Sequence, residues 1–234
     1  MDIHERGKAE DVGKDEELYM KVTQVVELSK SRSKVYIDQE FAFVLYKGEL
    51  RLYHIREGEE IVEEDYRTII EEVLPKRAKL RAMNLLQKRE YTTAQLHTKL
   101  KQGFYPEEAI AKALAYVESY HYTDDLRYAV SYITYHENDK SRLRIERDLQ
   151  TKGIDRETIA RAWEQWEADG GTRDEEAMIR SLLEKRNYFG KSVDSKEWNK
   201  TYAFLLRKGF PAEKIRRVMG ENIQDIVEDI VSYT

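Results

Sequence analysis

The chain has 234 residues, 41% hydrophobic and 36% charged, with a formal net charge of −5, five histidines and no cysteine. That length allows one or two domains, and the lack of thiols excludes disulfides, thiolate catalysis and zinc held by sulfur. No apolar run approaches the roughly 20 residues that span a bilayer, and the acidic, polar start lacks the basic and apolar regions of a signal peptide, so a cytoplasmic protein independent of membranes is expected.

Charge is divided along the chain. Residues 1–77 hold 13 Lys/Arg against 19 Asp/Glu, residues 78–220 hold 27 against 22, and residues 221–234 hold none against four. A basic body between acidic ends suits a protein that approaches nucleic acid or a nucleoprotein surface; an excess this small is equally the ordinary variation of helical surfaces.

Residues 1–17 carry seven acids, three bases and hardly any large apolar side chain. Burial there cannot offset the entropy of ordering, and a disordered acidic arm is expected. From Tyr19 the period becomes two: Met20, Val22, Gln24, Val26 and Leu28 share one face, S-K-S-R-S-K makes a turn, and Val35 to Ile55 reads as further strands with hairpin turns at Asp38-Gln39 and Lys47-Gly48. A helix from about Glu63 to Leu74, with Tyr66, Ile69, Ile70 and Val73 in one stripe, covers the sheet. Residues 18–77 therefore form a small β-rich module with one covering helix.

On this reading Pro75 ends that helix, and another restarts near Lys76 with Leu80, Met83, Leu85 and Leu86 inward. Three-helix repeats follow over residues 78–122, 123–170 and 171–220. The first adds a helix capped by Thr92 or Thr93, with Leu96 and Leu100 inward, and a helix after Pro106 carrying Ile110, Leu114 and Val117. In the second, Thr123 or Asp124 caps a helix with Leu126, Ala129, Val130 and Ile133 inward; Ile145 and Leu149 hold the next helix, and Ile159, Ala162 and Trp163 or Trp166 the last. Gly170-Gly171 is expected to be a flexible joint. Beyond it T-R-D-E-E opens the third repeat, whose helices place Ala177, Ile179, Leu182 and Leu183, then Trp198, Tyr202, Leu205 and Leu206, then Ile215, Val218 and Met219 inward. The punctuation recurs: a Leu precedes Gly103, Gly153 or Gly209, an apolar residue follows it, and an acid stands two places before Ile110, Ile159 or Ile215. Residues 221–234 read as an acidic tail or capping helix through Ile223, Ile226, Val227 and Ile230. The fold class is mainly α, a tandem array of three three-helix repeats preceded by the β-rich module.

Motifs for nucleotide hydrolysis, dinucleotide binding and acyl transfer are absent, as is a metalloprotease H-E-x-x-H. Asp124 and Asp125 suit the first turn of a helix through its dipole and have no second acidic or histidine cluster to work with, so capping is preferred to catalysis. No catalytic, cofactor-binding or metal-binding residue is assigned; the chain reads as a binder and not an enzyme. Of the sixteen tyrosines, Tyr122 and Tyr128 are expected in the core, whereas Tyr120, Tyr132 and Tyr135 are open to stacking or docking roles.

Tyr122, Asp124, Asp125, Tyr128 and Ala129 resemble the Y-x-[DN]-D-x-x-[FY]-A signature of the RecX regulatory proteins, and Ile145, Leu149, Lys152, Gly153 and Ile154 match the I-x-x-x-L-x-x-K-G-I that follows it. The resemblance covers about Ala78 to Gly220 well and the N-terminal third loosely. Two features depart from it: His121 stands where the family often has Gly, and Leu100 lies one residue closer to its Gly than Leu149 or Leu205 does. What the resemblance implies is a regulator that lies in the groove of the RecA filament on single-stranded DNA and suppresses RecA ATPase and strand exchange, within DNA repair, recombination and the SOS response. The implied partners are the RecA filament and, indirectly or weakly, single-stranded DNA, with the protein itself a monomer. Candidate contacts are the outward bases Arg144, Arg147 and Lys152 of the second repeat and Arg207, Lys208, Arg216 and Arg217 of the third. Helical spacing turns Arg144 and Arg147 away from Ile145 and Leu149, with Arg142 nearer the packed side. Two alternatives use the same residues differently: a helical-repeat protein that binds nucleic acid directly, and a scaffold for protein partners alone.

Overall fold

The computed structural model describes residues 19–189 and 194–220. The acidic arm and the tail or capping helix expected from Glu221 lie outside them. The described chain divides into two compact units, one running to Arg81 and including Leu100–Ala113, the other comprising Ala82–Lys99 and the chain from Leu114 onward.

The first unit holds an antiparallel sheet of β1 (Tyr19–Ser29), β2 (Arg32–Ile37), β3 (Glu40–Tyr46) and β4 (Glu60–Val62), in the order β3-β2-β1-β4. Asp38 and Gln39, at φ of 50° and 73°, supply the two left-handed residues of a tight hairpin whose twist matches its strands. A bulge between Val22 and Gln24 then inverts the alternation in β1. Val22 is fully buried, while Val26, expected on the same face, is 38% exposed.

The second expected hairpin is a helix instead. Residues Lys47–Leu52 form α1, because the Glu49 carboxylate accepts the Tyr46 N–H at 2.7 Å and so caps the chain where the strand pattern ran on. The same carboxylate accepts Arg77 Nη1 at 3.0 Å, and that nitrogen also donates to the Val44 carbonyl on the edge strand β3. Satisfying the carbonyl blunts an edge that would otherwise invite another strand.

Nor does Pro75 end the covering helix. Helix α2 (Glu63–Thr68) continues through a π-helical stretch, Ile69–Val73, into α3 (Leu74–Leu86). Leu74 N–H reaches back five residues to the Ile69 carbonyl, and the widened turn makes room for the proline ring at the point where Pro75 has no N–H to give. The inserted residue also rotates the apolar stripe along α3. Leu74, Ala78, Ala82 and Leu85 are buried, and Leu80, expected inward, is exposed. Over the sheet, the Tyr66 ring lies 6.0 Å from that of Phe43.

Next come α4 (Thr93–Gln102), α5 (Glu107–Ser119), α6 (Asp125–His136), α7 (Arg142–Thr151), α8 (Arg156–Ala168), α9 (Glu175–Lys185), α10 (Ser195–Arg207) and α11, helical over 212–220. Ala129, Ile133, Ile145, Leu149 and Ile159, with Trp163 and Trp166 of α8, close one core. Ile179, Leu183, Leu205, Phe210, Ile215, Val218 and Met219 close another. Ala177 and Leu206 are exposed rather than inward, because their neighbours one turn away set a stripe that adjacent residues, 100° round the helix, cannot share. Tyr122 is also exposed, its ring stacked at 5.8 Å on Tyr120 outside the core, whereas Tyr128 packs against the first of these two cores. Gly171 is no open joint: a Cβ there would lie 2.3 Å from the Trp166 ring, and its N–H bonds the Trp166 carbonyl.

Candidate functional site

Helix ends set the geometry of the site. In the second and third repeats the chain leaves its middle helix through a glycine in the left-handed conformation, Gly153 at φ 86° and Gly209 at φ 87°, and the next N–H returns to the leucine carbonyl, Ile154 to Leu149 and Phe210 to Leu205. In the first repeat Leu100 stands one place nearer its glycine. The left-handed position therefore falls on Phe104 (φ 65°), and Tyr105 N–H makes the return bond to Leu100.

Each lysine–glycine turn rests on the repeat before it. Thr92 Oγ1 accepts the Gln95 N–H at 3.2 Å and donates to the Lys152 carbonyl at 2.6 Å. Ser141 Oγ accepts the Arg144 N–H at 3.2 Å and donates to the Lys208 carbonyl at 2.8 Å. A hydroxyl can accept and donate at once, so one buried oxygen caps a helix and holds the following repeat. Acid pairs make a second tie. Asp124 caps its own α6 by accepting Arg127 N–H, and Asp125 accepts the Thr93 N–H at the start of α4. Asp174 caps α9, and Glu175 accepts the Arg142 N–H at the start of α7. All four acids are thus employed at helix starts.

The second of these seats carries Arg207 and Lys208 to the start of α7. There Asp139, Lys140, Arg144, Arg207, Lys208 and Phe210 line a cleft of about 370 Å³. Its wall is stiffened from behind: Lys140 Nζ donates to Tyr132 Oη at 2.8 Å and to Asp148 Oδ2 at 3.0 Å, Tyr132 Oη donates to Asp148 at 3.1 Å, and Arg144 Nε reaches the other Asp148 oxygen at 3.1 Å. Burial works against the charge on Asp148, but the hydrogen bonds from Lys140 and Tyr132 outweigh it and hold the carboxyl below its ordinary pKa. For Lys140 burial again opposes charge and its bonds to Tyr132 and Asp148 prevail, raising its pKa; burial also pushes the Tyr132 hydroxyl up, against the Lys140 bond. The Lys140 carbonyl is held by Arg173, whose buried guanidinium lies 5.6 Å from the Trp163 ring and whose pKa is lowered by that burial.

Of the candidate bases, the structure brings together Arg144, Arg207 and Lys208. Arg147 lies elsewhere, in a groove of about 460 Å³ with Arg142, Leu143, Arg156 and Trp163. Lys152 sits 5.2 Å from the Tyr132 ring, Arg216 lies over Tyr202, and Arg217 is engaged by Glu176 and Glu213. Lys140 was not among the candidates; its place just before the Ser141 cap is the signal that marks it. Among the described residues no group of three His, Asp or Glu is placed to hold a metal ion, and no helix is long and apolar enough to cross a membrane.

Models of the first, second and third three-helix domains of RecX match residues 78–116, 124–162 and 174–219. The chain belongs to the RecX family. The regulatory protein RecX of Caldanaerobacter subterraneus subsp. tengcongensis is 30% identical over 203 residues, covering 86% of this chain and 99% of that protein. RecX of Clostridioides difficile is 30% identical over 193 residues, covering 81% and 89%. Two solved RecX structures share the fold. One, a crystal structure of regulatory protein RecX, aligns with a TM-score of 0.56 over 86% of this chain and 99% of its own at 23% identity; the other, from Lactobacillus salivarius, has a TM-score of 0.55 over 65% and 98% at 23% identity.

Proposed function

We propose that this RecX-family protein binds the RecA–single-stranded DNA filament and inhibits RecA ATPase and strand exchange, acting in the cytoplasm as a monomer without catalysis of its own. The observation that carries the reading is the convergence of Arg144, Arg207 and Lys208 at the seat between the second and third repeats, in a chain matched by all three RecX domain models. Arg144, held by Asp148 at 3.1 Å, loses little further freedom on meeting an anionic filament, and Arg207 and Lys208 add exposed charge beside it. Membership of a family of named regulators agrees with a role exerted through contact.

Single-stranded-DNA-dependent ATP hydrolysis by RecA tests this. Substoichiometric protein is expected to slow turnover, and unchanged turnover at saturating protein contradicts the reading.

A further inference from the structure

We infer that the cleft between the start of α7 and the Arg207-Lys208 turn is a subsite for a backbone phosphodiester of single-stranded nucleic acid. Lys140, Arg144, Arg207 and Lys208 surround it, with Asp139 in the lining and Asp148 behind Arg144 as the opposing acids. Asp139 is drawn toward His136 at 3.0 Å, and Asp148 is shared between Lys140 and Arg144. Arg207 has no charged partner among the described residues, and the positive end of α7 is already met by the Glu175 carboxylate, so the side-chain cations carry the field.

The lining also says which anion. A protein segment gains affinity by burying apolar side chains around its charges, and among the described residues the one apolar residue lining this cleft, Phe210, is already committed to the core. The other groove, with Leu143, Ile159, Ala160 and Trp163 among its arginines, has the mixed lining a peptide needs. A phosphodiester asks only for charge and N–H donors, and an arginine fork matches its oxygens. Phe210, the aromatic ring in the lining, is buried and not available to stack on a base, so the exposed cationic groups favour the backbone. This deepens the filament reading and rests on it only for where the strand is met.

The experiment measures binding of the full chain to a labelled oligothymidylate by fluorescence anisotropy across salt concentrations, with an abasic sugar-phosphate strand of equal length and poly-aspartate as competitors. Oligothymidylate and the abasic strand are expected to bind within about twofold of each other. Arg207→Ala and Lys208→Ala, both exposed and with unchanged helical circular dichroism, should each flatten the plot of log affinity against log salt by about 0.7, one phosphate's share on a single strand. Arg207→Lys should restore most of that slope, and Arg156→Ala should leave it unchanged. Absence of strand binding, unaltered slopes in both cleft variants, or competition by poly-aspartate equal to that of the abasic strand overturns the proposal, the last in favour of an acidic protein segment. RecA is absent from the measurement, so its failure is distinguishable from failure of the filament reading.

Discussion

His121 shows at a single residue how a turn can be formed against local preference. It holds φ 55° so that Tyr122 N–H can return to the Val117 carbonyl, a conformation in which a Cβ crowds the following carbonyl. Its side chain is exposed, so His121→Gly is expected to stabilise the protein by about 0.5–1 kcal/mol, read as a higher urea midpoint; an unchanged or lower midpoint contradicts this. Asp148 gives a pH dependence of definite sign. Its folded pKa is depressed, so its stabilisation is complete above the ordinary carboxylate value near 4 and is lost as pH falls through the folded value. The stability gap between the native chain and Asp148→Asn should therefore stay constant above about pH 5 and narrow as pH falls below about 4, whereas a gap that does not narrow on acidification below that value would deny the network its charge. At this scale the sequence is partly legible. Asp124 and the hydroxyl cap ahead of α4 follow from local chemistry, but Asp125 caps a helix 32 residues away, and no local pattern specifies such a partner.

At the scale of elements, the stacked seats account for which glycines are demanding. Gly170 and Gly153 both have positive φ, yet a Cβ on Gly170 meets nothing within 4 Å, whereas one on Gly153 would lie 2.2 Å from Ala94 Cβ. Gly170→Ala should cost about 1–2 kcal/mol from backbone conformation alone; Gly153→Ala should cost about 3 kcal/mol or more, since overpacking is added and the Thr92–Lys152 bond is displaced. Equal urea midpoints for the two variants would remove the seat from the account. Helical repeats were readable because the leucine–glycine spacing and the 3.6 period point the same way. The misread elements have physical causes. Lys47–Leu52 lies in an alternating stretch that a carboxylate three residues into the helix overrides, and the Pro75 break is absorbed by a π turn whose need appears only once the chain is helical on both sides. Arg144 and Arg147 parted because three residues on a helix leave them about 60° apart, enough to face different grooves.

Across the whole molecule, the excess of bases in residues 78–220 pointed toward an anionic partner, and the glycine-punctuated repeats toward the RecX family to which the chain belongs. The cleft itself was not legible as a site. Its lining comes from the loop ahead of α7 and the first turn of that helix, and from the end of α10 and the turn after it, more than 60 residues on, and no local pattern announces the Ser141–Lys208 bond that helps bring them together. The most direct test of the central claim is RecA turnover on single-stranded DNA in the presence of the native chain and of Arg207→Glu with Lys208→Glu. The native chain is expected to inhibit at substoichiometric amounts and the charge-reversed pair to need at least about tenfold more, a change of about 1.4 kcal/mol, with helical content unchanged. Equal inhibition by the two would contradict the claim that this cleft grips the filament.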